Sequence, residues 1–241
     1  MNVIILISVL LTAVLSGVLG MAGGMILMAI LVVAVPVSTA MMLHGAVQAM
    51  SNGSRTLFLW QHVQWRILPP YLLGAAIAVA GFAAVTLVPD AGVVLMLVGA
   101  MPFVARFTPR LNALDMNHVP TAVVCGAVVT AAQLLAGASG PLLDMFYLNT
   151  TLTRHQIVAS KAITQTIGHL LKLGYYGLLV GTTDAVPWWL FPLAMLTAVA
   201  GTRIGTRLLD RLADETFRRV SGWFILAIAG ACLVQGARTL I

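Results

Sequence analysis

Two sets of polar residues recur at helical spacing inside apolar surroundings: His44, Gln48, Asn52 and Arg55, then Lys161, Gln165, His169 and Lys172. Steps of four, four and three residues put each set on one face of an α-helix. Imidazole, amide and ammonium groups on one face supply hydrogen-bond donors and positive charge, the chemistry that holds an anion. An ionisable residue within a membrane is costly unless it faces protein or a wet cavity, so it marks a functional site by default. The competing reading is that the stripes glue helices together, with Arg55 reaching the membrane surface along its aliphatic stem. Lys161 and Lys172 are the only lysines in the chain, and both lie on the second stripe.

A complementary element precedes each stripe. Gly20, Gly23 and Gly24, like Gly137, Ser139 and Gly140, interrupt apolar segments just before short helices. Such a helix begins with unpaired backbone N–H groups and the positive end of its dipole, which favour an anion; close packing of small residues is the alternative. Asp144 is the one acidic residue within an apolar segment away from both its ends. It pairs with Lys161 or Lys172, or it takes up a proton as substrate crosses, and His44 and His169 offer further proton relays. Gly137-Ala138-Ser139-Gly140 also fits the Gly-x-Ser-Gly pattern of rhomboid intramembrane proteases, with His169 as a base. The counterpart Ala22-Gly23-Gly24 has no serine, and a duplicated chain does not suit that architecture. No enzyme is expected.

The elements that position these residues are membrane helices. Of 241 residues 60% are hydrophobic and 8% charged, against about 25% charged in soluble domains. No side chain carries a formal charge from Met1 to Ser54. The apolar runs are continuous rather than alternating, which excludes a transmembrane barrel and leaves helices as the spanning structure. Breakers and charges divide the chain into about ten segments: 2–19, 24–35, 37–59, 67–88, 91–106, 119–136, 140–150, 154–181, 187–209 and 216–237. The net charge of +6 comes from scattered basic residues at segment ends, so it reflects topology rather than nucleic-acid binding. Cys125 and Cys232 lie in apolar runs without metal-ligand spacing. Neither metal nor cofactor is implied, and no removable signal peptide is expected at the N-terminus.

The chain reads as two copies. After a one-residue gap behind the glycine motifs, a constant offset of 117 pairs His44 with Lys161, Gln48 with Gln165, Asn52 with His169, and Arg55 with Lys172, and Pro69 answers Pro192 further on. The expected units are a first transmembrane repeat at 1–106, a central cytoplasmic connection at 107–118 and a second repeat at 119–241. Placing Arg66, Arg106, Arg110, Arg154, Arg211, Arg218 and Arg219 in the cytoplasm demands a crossing at each of the ten segments, with both termini outside. The acidic turns at Asp90 and Asp184 then fall outside. Five segments per repeat is odd, so the second repeat is inverted, as in secondary transporters with a binding site between their halves. The expected fold is an all-α polytopic membrane protein of two inverted five-segment repeats with short glycine-broken helices.

The glycine-rich motifs Gly20-Met21-Ala22-Gly23-Gly24 and Gly137-Ala138-Ser139-Gly140-Pro141, the polar helix after each, and Gln61-His62-Val63-Gln64-Trp65-Arg66 together resemble the sulfite exporter TauE/SafE family. The last motif looks like that family's Val-Asp-Trp connection with Gln64 in place of the acid. A usual third glycine is missing from both copies, and a proline common in the family is absent near Met28. The resemblance implies transport of sulfite, sulfoacetate or other organosulfur anions across a bacterial plasma membrane. The expected function is a secondary transporter for a small organic or sulfur-containing anion, working by alternating access with or without proton coupling. An anion channel and a structural membrane subunit are the alternatives. Substrate is expected to meet Gly23, Gly24, His44, Gln48, Asn52, Ser139, Gly140, Lys161, Gln165, His169 and Lys172. The partners are that anion and the lipid bilayer; self-association into a homo-oligomer is compatible with the sequence, and nucleic acid is not expected.

Overall fold

Prolines and glycines set the limits of several helices. In the computed structural model, which describes residues 1–19, 22–107, 114–147, 150–181, 185–209 and 214–241, ten α-helices and no strand are found among the described residues. They are α1 (Asn2–Leu19), α2 (Ala22–Ala34), α3 (Val37–Phe58), α4 (Leu68–Val85), α5 (Ala91–Phe107), α6 (Val119–Ala136), α7 (Gly140–Met145), α8 (Arg154–Gly174), α9 (Leu190–Leu209) and α10 (Asp214–Leu240). Prolines sit in the first turns of α4, α6 and α7, where a missing N–H costs nothing. A reciprocal pair of bonds between Thr153 and Gln156 starts α8. Gly137, with φ of 73°, ends α6 in the left-handed conformation.

The order and number of helices follow the ten expected segments, with one marked difference. The seventh ends at Met145 rather than near 150. Six residues rise only about 9 Å, against a hydrocarbon core of about 30 Å, so α7 does not cross by itself. The 13 residues of α2 rise about 20 Å, so neither helix matches the thickness of that core by itself. Trp65–Val85 and Val119–Ala136 are long and apolar enough to cross by length and composition. Gly20 and Met21, Arg110, Asp184 and Arg211 lie outside the described residues, as do the side chains of Arg106, Arg218 and Arg219.

Large apolar side chains cover much of the described outside, and several polar and charged ones are buried within an otherwise apolar interior. Leu178 is 86% exposed and Trp188 81%, whereas Lys172 is fully buried. A water-facing surface would reverse that distribution, while lipid accepts it. Four helix pairs make the most extensive packings: α1 with α9, α4 with α6, α5 with α10, and α3 with α8. Glycine permits the first three. A side chain at Gly74 or Gly126 would run into the backbone of the facing helix in the α4–α6 pair, and Gly201 and Gly205 bring α9 onto α1 in the same way. In the α5–α10 pair Gly92 faces Leu240 and Gly99 faces Ala229, so these helices run antiparallel. The connection after α3 docks on α8 through a hydrogen bond donated by the Gln64 N–H to Ser160 Oγ at 3.0 Å.

Candidate functional site

Helices α3 and α8 bring the two polar stripes face to face. Gly45 lies against Lys172 and Leu173, and Gly53 against Thr166, so the helices run antiparallel. In this register His44 stands near Lys172, Gln48 near His169, Asn52 near Gln165, and Arg55 near Lys161. The eleven steps from His44 to Arg55 rise about 16 Å along the helix axis, roughly half of a hydrocarbon core.

One end of this polar ladder is closed and held by neutral partners. Lys172 Nζ donates to His44 Nδ1 at 2.9 Å and to the Gly137 carbonyl at 2.9 Å. Lysine brings donors only, so Nδ1 accepts, and the imidazole proton is assigned to Nε2. That proton goes to the Gly24 carbonyl at 2.9 Å. The left-handed turn at Gly137 is part of the geometry, because it ends α6 where its carbonyl meets the lysine. Gly24 makes room for the stripe itself: a Cβ there would stand 2.5 Å from Gln48 Nε2. Beside His44, at 5.5 Å between ring centroids, His169 takes a 3.3 Å hydrogen bond from Gln133 Nε2.

The other end is paired by charge. Lys161 and Asp144 form an ion pair with both side chains partly exposed, and Arg55 lies close enough for its charge to oppose that of Lys161. Asp144 therefore meets Lys161 and not Lys172, which lies eleven residues further along α8.

Between the ends lies a cavity whose volume open to the centre of a water molecule is about 30 Å³, room for about two waters. Of the expected site residues, Gly24 of α2, His44, Gln48 and Asn52 of α3, Ser139 and Gly140 at the start of α7, and Gln165 and His169 of α8 line it. Among the described residues no acidic one does. Gly23 instead packs against Thr12 and Ser16 of α1. Neither lysine reaches the wall: Lys172 sits behind His44, and Lys161 is engaged by Asp144. Ser139 Oγ and His169 Nδ1 are buried without a hydrogen-bond partner. Because no bond joins the two, the arrangement lacks the nucleophile–base contact of a serine hydrolase. Among the described residues no group of three or more His, Cys, Asp or Glu stands together as a metal site.

Sequence reasoning missed Ser16, Met25 and Ala138 on the wall and Gln133 behind it. A signal existed for two of them, since the same offset of 117 pairs Ser16 with Gln133.

The model of the family described as Sulfite exporter TauE/SafE matches residues 5–232, nearly the whole chain. No curated protein and no solved structure matches.

Proposed function

The chain belongs to the sulfite exporter TauE/SafE family, a family of membrane transporters, and on that premise we propose that it carries a small organic or sulfur-containing anion across the bacterial plasma (inner) membrane by alternating access. One observation carries this reading: a cavity free of acidic side chains, lined by polar groups from α3 and α8 and by the glycine-flanked starts of α2 and α7, with a buried lysine behind it. Anions lose their hydration on entering such a space and regain hydrogen bonds from its walls. Gly24, His44, Gln48, Asn52, Ser139, Gly140, Gln165 and His169 form the wall, and Lys161 and Lys172 supply positive charge near its two ends.

Alternating access follows from two units, 1–106 and 119–241, related as inverted repeats. Support comes from the packing. Exchanging the halves carries α1–α9 onto α6–α4 and returns α3–α8 and α5–α10 to themselves. The two self-paired sets run antiparallel, as inverted copies must. Rocking one unit on the other would expose the α3–α8 cavity to each side in turn. Asp144, paired with Lys161 at one end, is the residue proposed to couple proton movement to that rocking.

Purified protein should be stabilised against heat by one or more of sulfite, sulfate, thiosulfate, a sulfonate or a small carboxylate. An anion at a hundredfold its Kd adds about 2.7 kcal/mol. In proteoliposomes the stabilising anion should show saturable uptake and counterflow. Uptake without saturation or counterflow would make the protein a channel, and no stabilisation by any anion would favour a structural subunit.

A further inference from the structure

The buried polar atoms around the cavity divide into those already satisfied and those left over. His44 is satisfied on both nitrogens, by Lys172 and by the Gly24 carbonyl. Asn52 Nδ2 gives one of its two protons to the Gln48 carbonyl at 3.0 Å. Lys172 is bound to His44 and Gly137 and stands off the wall. Left over on the wall are Ser139 Oγ, on a residue 1% exposed, and His169 Nδ1, on a residue 4% exposed; Gln133 Oε1, behind the wall, also has no partner. Both residues line the cavity. With Gln133 Nε2 donating to His169 Nε2, the proton of the neutral imidazole is assigned to Nδ1. The hydroxyl likewise has a proton to give. Native structures seldom leave such groups buried without partners unless a ligand or water supplies them.

We propose that the transported anion is gripped by Ser139 Oγ–H and His169 Nδ1–H, and that Lys172 is a positioning residue that acts through His44 without touching the anion. This rests on the anion-transporter reading above. Two uncharged donors on one small cavity suit a ligand with at least two bare oxygen atoms. The lysine orders the wall: its bond to Nδ1 fixes the His44 tautomer, Nε2–H then anchors α3 to α2, and its second bond anchors α8 to the turn before Ser139. Hydrogen bonding by neutral groups holds an anion firmly yet releases it more readily than a direct ammonium contact would, which suits a carrier.

The test is uptake of radiolabelled sulfite by the full chain in proteoliposomes, with sulfate and acetate as further probes. Ser139→Ala removes one atom and should raise the half-saturation concentration about tenfold, the loss expected for one hydrogen bond to a charged ligand. His169→Phe should do at least as much. Lys172→Met should weaken uptake when His44 is present and add nothing in a His44→Phe background, the non-additivity of two residues acting as one unit. Equal half-saturation for Ser139→Ala and the unaltered protein overturns the donor assignment even if the lysine variants fail to fold. A Lys172→Met effect that persists undiminished with His44→Phe places the lysine on the anion and overturns the positioning role. No saturable uptake of any probe by the unaltered protein overturns the transporter reading and this assignment with it.

Discussion

The two ends of the α3–α8 ladder are built from matching positions and balance their charge in opposite ways. The offset of 117 carries His44 onto Lys161 and Arg55 onto Lys172, so exchanging the halves turns one end into the other. At the closed end Lys172 is fully buried and, among the described residues, hydrogen-bonds an imidazole nitrogen and a peptide carbonyl. At the open end Lys161 meets a carboxylate, with 20% and 31% of the two side chains exposed. The asymmetry has one origin: the residue 117 positions before Asp144 is Leu27, which is buried in the core. One end therefore carries its own counter-ion. The other is balanced by neutral dipoles, and a charge so placed is an invitation to an anion from outside. A duplicated scaffold with one added acid thus pairs one lysine with a carboxylate and leaves the other on neutral dipoles, while Arg55 keeps positive charge at the paired end as well.

The largest effect should come from breaking the closed end. Lys172→Ala strands His44 Nδ1 and the Gly137 carbonyl, and an unsatisfied buried group costs about 1–3 kcal/mol. A loss of about 2 kcal/mol or more in thermal or denaturant unfolding is expected, along with at least about a tenfold fall in anion uptake. Equal stability of Lys172→Ala and Lys161→Ala would erase the contrast between the ends.

Asp144→Asn addresses the open end and should act differently. A partly exposed ion pair contributes about 1 kcal/mol or less, so the variant should fold and unfold nearly as the unaltered protein does. Its effect should appear in coupling. Uptake driven by an imposed pH gradient should lose its dependence on that gradient, while counterflow without a gradient continues. Gradient dependence that survives the substitution would move the proton to His44 or His169.

Much of this contrast was legible in the sequence, and its limits are physical. The stripes stood out because ionisable and amide side chains are rare inside apolar runs, and their spacing fixed the helix face. Spacing does not say how deep a side chain lies, so Lys172 read as a wall residue although His44 stands in front of it. Nor does it say which of two lysines Asp144 meets; that depends on where α7, packed against α5, sets the carboxylate beside α8. The stop of α7 at Met145 was equally hidden. Local turn bonds close it, with the Tyr147 N–H donating to the Asp144 carbonyl at 3.0 Å, and no breaker residue marks the place. Ser16 and Gln133 escaped because a single small or amide residue in an apolar helix is ordinary by itself. Only the repeat offset ties them together.

The smallest effect should come from a polar contact that belongs to neither end. Ser51 lies on α3 away from the ladder positions, and its Oγ is 2.9 Å from Thr202 Oγ1 of α9, both residues buried. Thr202→Val keeps the shape and removes that bond, at a cost of about 1 kcal/mol in unfolding. If the contact only joins two helices, the half-saturation concentration for anion uptake stays unchanged. The comparison has an edge because Ser51 also lines a second, smaller cavity of about 10 Å³ that shares Ser16 and Gln48 with the first. A change in uptake with Thr202→Val would join that space to the substrate route and make the ladder one wall of a longer path between α1, α3 and α9. A change in stability alone confines transport chemistry to the α3–α8 face, where the difference between the two ends decides it.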